Sequence, residues 1–204
     1  MRIGIYGGTY NPIHIGHTSL ANSLVQQGLV DEVWLLVSPQ NPLKGNNSAS
    51  YTDRFRMAQL ATEGMEHIKA SDFELHLPVP SYTITTLTEL SKEFPEHQFT
   101  LIIGADNWKN FNRWYKADEI KANYRIIVYP RPGYEEPIEA NESNNTPKFK
   151  VGSKRNKPIL LGQTENEEIP LFDISSTEIR NGEKLEMLHP AVLKYIRDNK
   201  LYEL

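Results

Sequence analysis

Gly7-Gly8-Thr9-Tyr10-Asn11-Pro12-Ile13-His14-Ile15-Gly16-His17 decides how the rest of the chain is read. The stretch follows Arg2-Ile3-Gly4-Ile5-Tyr6, a short strand pattern. It precedes Leu20, Ala21, Leu24 and Val25, which are apolar at helical spacing. It is therefore a strand-to-helix turn of a parallel α/β sheet, the place where such sheets bind nucleotides. Gly7 and Gly8 let the backbone turn sharply and approach a ligand. The N–H groups of the turn and helix start suit phosphate oxygens, and the helix dipole favours negative charge there. His14 and His17 lie three apart and share a helix face, where two imidazoles can donate to developing negative charge. Thr9 adds a hydroxyl. Two other readings stand beside this one. Zinc ligation by the pair wants a third ligand that the neighbourhood does not offer. The glycines could also serve only a tight turn. The dinucleotide fingerprint G-x-G-x-x-G does not fit, because the glycines fall elsewhere.

The length of 204 residues suits one domain, with 39% apolar and 24% charged residues as in ordinary globular proteins. The net charge of −4 gives no argument for nucleic acid or an anionic membrane as partner. With no cysteine, disulfides, thiolate nucleophiles and Cys-based metal sites are excluded. No apolar leader opens the chain, and the longest apolar run, Val33 to Val37, is far short of a membrane span. The expected location is the cytoplasm.

Val33 to Val37 reads as a buried parallel strand, followed by a long loop from Ser38 to Asn47 that carries Lys44 beside the expected ligand crevice. A helix covers Tyr51 to Ala61, with Arg54 off its apolar stripe, a surface cation before a candidate for phosphate contact. A strand is predicted around Ile68 to Ser71, with Phe73, Leu75 and Leu77 alternating after it. The helix from about Thr83 to Phe94 opens with hydroxyls and free N–H groups. Phe99 to Ile103 is a buried strand ending in Gly104-Ala105-Asp106, whose carboxylate suits a ribose hydroxyl, a cation or a helix cap. Trp108, Trp114 and Tyr115 read as core filler before ligand platforms. A helix from Ala117 to Ala122 and a strand from Arg125 to Tyr129 follow. The Pro- and Asn-rich region beyond reads as a surface excursion, Ile159 to Leu161 as a short strand. In Ile174-Ser175-Ser176-Thr177-Glu178-Ile179-Arg180, serines open a capped helix and Arg180 lies one turn past Ser176, a second phosphate cradle. A helix from about Pro190 to Asn199 closes the pattern.

The first motif resembles the G-x-(F/Y)-(D/N)-P-x-H-x-G-H signature of the nucleotidylyltransferase superfamily, and Ile174 to Arg180 resembles its second nucleotide motif. Ser81-Tyr82-Thr83-Ile84-Thr85-Thr86-Leu87, Gly104-Ala105-Asp106 and Arg113-Trp114-Tyr115 are similar to the bacterial nicotinate-nucleotide adenylyltransferases within it. The resemblance covers nearly the whole chain and fails mainly across residues 134–157. It departs at Asn11, where many relatives have Asp, and at Lys44, where arginine is common.

That resemblance implies a Rossmann-like doubly wound parallel sheet, a single domain over residues 1–204 with a small C-terminal helical part from residue 174 and a surface insertion at 134–157. It implies transfer of the adenylyl group of ATP to nicotinate mononucleotide, with Mg²⁺ carried on the ATP phosphates and no metal site on the protein. His14, His17, Lys44 and Arg180 would carry catalysis. Gly7, Gly8, Thr9, Tyr10, His14, His17, Gly104, Asp106, Ser175, Ser176 and Arg180 would hold ATP. Thr9, Lys44, Thr85, Trp114 and Tyr115 would hold the nicotinate nucleotide, Trp114 by stacking on the pyridine ring and main-chain N–H groups at Thr85 and Trp114-Tyr115 by taking the ring carboxylate. A homo-oligomer is left open. A sister transferase acting on a pantetheine phosphate, or a non-catalytic nucleotide sensor, would use the same phosphate apparatus.

Overall fold

The computed structural model describes residues 1–39, 49–131, 158–161 and 172–204. Lys44 and the expected insertion at 134–157 lie outside the described residues.

Among the described residues, six strands form one parallel sheet. They are β1 (Arg2–Gly8), β2 (Glu32–Val37), β3 (Ile68–Ser71), β4 (Gln98–Gly104), β5 (Arg125–Tyr129) and β6 (Ile159–Leu160). Their order across the sheet is β3-β2-β1-β4-β5-β6, so the chain reverses direction of growth between β1 and β4. In open parallel sheets that reversal leaves a crevice at the strands' C-terminal ends. The helices are α1 (Ile15–Gln26), α2 (Tyr51–Thr62), α3 (Thr83–Glu93), α4 (Ala105–Lys109), α5 (Ala117–Asn123), α6 (Ser176–Arg180) and α7 (Pro190–Asp198).

Strand alternation divides the core between the two faces. Ile3 and Ile5 of β1 join Leu36, Leu87, Leu90, Leu101, Ile103 and Ile120 on the α3–α5 face. Tyr6 joins Leu24, Leu35, Met57, Ile102, Ile127, Val192 and Ile196 on the face covered by α1, α2 and α7. Helices on both faces make the sheet doubly wound, as expected. Among the described residues, no helix is long and apolar enough to cross a membrane.

Two readings need correction. The alternation at Phe73, Leu75 and Leu77 does not extend β3. Phe73–His76 is a tight 3-10 turn, with Leu75 N–H donating to Asp72 O at 2.8 Å. The ladder ends at Leu36 opposite Ser71, and β2 stops one residue later, so a longer β3 would have had no partner. Arg54 is 4% exposed and points inward. Its guanidinium donates to the carbonyls of Thr9, Ser38, Pro39 and Ala49 at 2.7–3.2 Å. It ties the start of α2 to the signature turn and to the end of β2, and its donors serve the fold.

Candidate active site

A cleft of about 1100 Å³ opens over the C-terminal ends of β1 and β4, above the reversal in strand order. Its walls bring together residues that are far apart in sequence: the signature turn, Ser38 after β2, the first turn of α3, Gly104 and Asp106, Trp114, and Ser175 to Glu178.

The signature turn is built tightly. A Cβ on Gly7 would meet only open space, so the backbone there is bare to the cleft. The Tyr10 hydroxyl donates to Tyr6 O, and its ring packs edge-on against His17 at 5.1 Å. His14 caps α1, and its N–H donates to His17 Nδ1 at 3.2 Å. That bond places the proton of a neutral His17 on Nε2, which makes this nitrogen the ring's donor. The two rings lie 3.8 Å apart between centroids, tilted by 36°. Burial, with the Arg131 charge nearby, lowers the His14 pKa to about 4. Burial, then His14 and Arg131, takes His17 well below its ordinary value. At neutral pH both are neutral imidazoles, able to donate through N–H without carrying charge. His14 Nδ1 is buried with no protein partner.

The second motif docks on the first. Ser175 caps α6 in a capping box with Glu178. The Ser176 hydroxyl donates to Pro12 O at 2.9 Å. Arg180 Nη1 donates to Asn11 O at 2.7 Å and to Ser176 O at 3.2 Å, and Nη2 to Thr177 Oγ1 at 3.1 Å. Arg180 thus holds the two motifs together from behind, and it is not among the residues lining the cleft. Asn11 Oδ1 accepts from Ala49 N–H at 3.1 Å and from the Tyr202 hydroxyl at 2.6 Å. An oxygen that only accepts explains why either amide or carboxylate serves at this position.

Gly104, not Asp106, occupies the cap position of α4, which removes the helix-cap reading of Asp106. A Cβ on Gly104 would collide with Asp106 Oδ1, so the glycine makes room for that carboxylate. Asp106 Oδ1 is buried without a hydrogen bond and lies 3.6 Å from Arg131 Nε. It is the kind of oxygen a hydroxyl or a hard cation takes. Among the described residues, no group of three or more His, Cys, Asp or Glu could hold a metal by itself.

At the other end of the cleft, Trp114 is partly buried and lines the wall, its ring 5.0 Å from Phe111. Thr83 and Thr86 line it, while Thr85 and Tyr115 do not. Tyr115 is 53% exposed and stacks on Tyr82 at 4.6 Å. Trp108, by contrast, is 5% exposed and belongs to the core.

Two lining residues were not legible as site residues. Arg131 follows β5, and its Nη2 donates to the Tyr129 hydroxyl at 3.1 Å, which in turn meets the Tyr6 hydroxyl at 3.0 Å. Glu74 comes from the 3-10 turn. The strand order that carries β5 beside β4 was the signal for Arg131. Glu74 had none, because it sat in a segment that reads as strand.

A family model described as cytidylyltransferase-like matches residues 5–182. The chain is 43% identical over 204 residues to a probable nicotinate-nucleotide adenylyltransferase of Bacteroides thetaiotaomicron, covering 97% of this chain and 92% of that one. It is 40% identical to the one of Flavobacterium johnsoniae, with both chains covered in full. In fold it is similar to the Plasmodium falciparum nicotinic acid mononucleotide adenylyltransferase solved with NaAD. The TM-score is 0.73 at 19% identity, over 99% of this chain and 97% of that one.

Proposed function

The chain belongs to the nicotinate-nucleotide adenylyltransferases of the cytidylyltransferase-like family, and from that premise we propose how its cleft works. The enzyme transfers the adenylyl group of ATP to nicotinate mononucleotide, giving deamido-NAD and pyrophosphate, a step in NAD biosynthesis. The observation that best supports our assignment of its parts is the neutral His14–His17 pair. It sits beneath a cleft that also takes in the first turn of α3 and Trp114.

The 5′-phosphate of the acceptor attacks the α-phosphorus of ATP in line, and pyrophosphate leaves. The nucleophile is already anionic, so the reaction needs no general base. What remains for the protein is positioning and charge stabilisation. His17 donates from Nε2 to the oxygens of the transferring phosphate, and His14 lies beside it. Gly7, Gly8, Thr9 and Tyr10 form the turn under the triphosphate. Ser175 and Ser176 face its distal end, and Arg180, behind that wall, adds positive charge to it while it holds the motifs together. Lys44 and Arg131 add positive charge. Gly104 and Asp106 take the adenosine ribose, and Asp106 is also the oxygen that fits Mg²⁺. Bound through the ATP phosphates, Mg²⁺ would supply further neutralisation of their charge.

Trp114 stacks on the pyridine ring. Main-chain N–H groups near Thr85 and at Tyr115 take its carboxylate, helped by the dipole of α3, while the Trp114 N–H donates to Phe111 O at 2.9 Å and fixes the ring's place. Tyr115 contributes there through its backbone, which agrees with an exposed ring. The chain acts as one nucleotidylyltransferase domain in the cytoplasm, without nucleic acid or membrane.

Pyrophosphate release from ATP, measured with a panel of acceptors, tests the reading. Nicotinate mononucleotide should exceed nicotinamide mononucleotide by on the order of a hundredfold in kcat/KM, because N–H groups aimed at a carboxylate meet the amide's own donors. Equal efficiency would mark a dual-specificity enzyme, and turnover of a pantetheine phosphate would mark a sister transferase.

A further inference from the structure

Glu74 lines the cleft yet has no task in the transfer just described. Its Oε1 accepts the Thr86 hydroxyl at 2.9 Å, and the Ser38 side chain bonds it from the end of β2. Thr86 is the neighbour of Thr85 in the first turn of α3, so the carboxyl stands at the acceptor end. Burial raises its pKa, against the pull of the Thr86 and Ser38 bonds. A carboxylate offers about four acceptor directions, and the described residues fill two.

Of the acids that line the cleft, Asp106 faces Arg131, and Asp173 and Glu178 face Lys184, whereas Glu74 has no cationic partner among the described residues. The acceptor carries a phosphate and a ring carboxylate, and ATP carries three phosphates, all of which an acid repels. The groups of nicotinate mononucleotide that donate hydrogen bonds are the two ribose hydroxyls. We infer that Glu74 is a specificity-determining residue that accepts from the ribose hydroxyls of the acceptor nucleotide. Thr86 and Ser38 fix its carboxyl so that its remaining lone pairs face the sugar. The inference rests on the acceptor assigned above.

The test compares nicotinate mononucleotide with its 2′-deoxy and 3′-deoxy forms in the wild type, Glu74→Gln and Glu74→Ala. A lost hydrogen bond to a charged acceptor should lower wild-type kcat/KM by roughly 10- to 100-fold for at least one deoxy form. In Glu74→Ala that penalty should shrink to within about twofold, the mark of a coupled pair. KM for ATP should stay near its wild-type value in both variants. Glu74→Gln keeps the side chain's size, so it carries the comparison if Glu74→Ala proves unstable. Additive losses, with the deoxy penalty undiminished in the variants, would overturn the inference. A changed acid-over-amide ratio in Glu74→Gln with the ribose penalty intact would place the carboxyl against the ring and also overturn it. A wild type inert towards nicotinate mononucleotide would overturn the function itself, an outcome distinct from the others.

Discussion

The Tyr202 hydroxyl donates to Asn11 Oδ1 at 2.6 Å, across 191 positions of sequence. The same oxygen takes the Ala49 N–H, and Asn11 is 1% exposed. Asn11→Ala would take this acceptor away from both donors, at a cost of about 1–3 kcal/mol in urea unfolding. Tyr202→Phe removes one bond and should cost about 1 kcal/mol. Asn11→Asp keeps an oxygen in both bonds and should retain most of the stability. If Asn11→Asp is as unstable as Asn11→Ala, the amide nitrogen matters and the acceptor-only account is wrong.

His17→Ala should lose at least about 2 kcal/mol of transition-state stabilisation, roughly thirtyfold in kcat/KM, as expected for one preorganised donor. The ring is partly exposed in the cleft, so the melting temperature should move little. Near-normal turnover with normal ATP binding would remove His17 from the chemistry.

The histidine pair also predicts a pH dependence of stability. The folded His14 titrates at about 4, whereas the unfolded side chain titrates near 6.5, and His17 is shifted the same way. Below pH 6.5 the unfolded chain therefore binds protons that the folded chain refuses. Stability is full above pH 6.5 and falls as the pH drops towards 4, by about 1.4 kcal/mol per pH unit for each histidine. Glu74, raised by burial, opposes this on approach to its own range. Denaturant unfolding at pH 7, 6 and 5 measures the slope. His14→Asn should flatten it, and an unchanged slope would contradict a buried neutral imidazole.

Arg180 makes three protein bonds, and in the reading proposed above its charge also serves the ATP phosphates. A lysine cannot span Asn11 O, Ser176 O and a phosphate at once. Arg180→Lys should therefore weaken ATP by about tenfold or more while weakening AMP less, as binding titrations would show. Equal losses for the two nucleotides would confine Arg180 to holding the motifs together.

Much of this architecture could be read from local pattern. The turn from Gly7 to His17, the apolar run Val33 to Val37 and the capped start at Ser175 each state their conformation within a dozen residues. What local pattern could not show is who meets whom. Phe73 to Leu77 alternates like a strand, and only the length of β2 denies it a partner. Once that segment tightens into a 3-10 turn, Glu74 enters the cleft instead of lying on an outer face. Arg54 looks like a spare surface cation because its acceptors are carbonyls at Thr9, Ser38, Pro39 and Ala49, and carbonyls leave no mark in a sequence. Arg131 reaches the histidines only because the sheet order lays β5 beside β4.

The bond from Ser176 to Pro12 bears on when this enzyme comes into being. A ribosome that has delivered residues 1–131 has delivered β1 to β5 and the whole signature turn. Pro12 O and Asn11 Oδ1 then still lack the hydroxyls of Ser176 and Tyr202. The nascent chain can build most of its sheet while the nucleotide cradle stands open on one side. Truncated products of translation should therefore fold in part and yet hold ATP poorly.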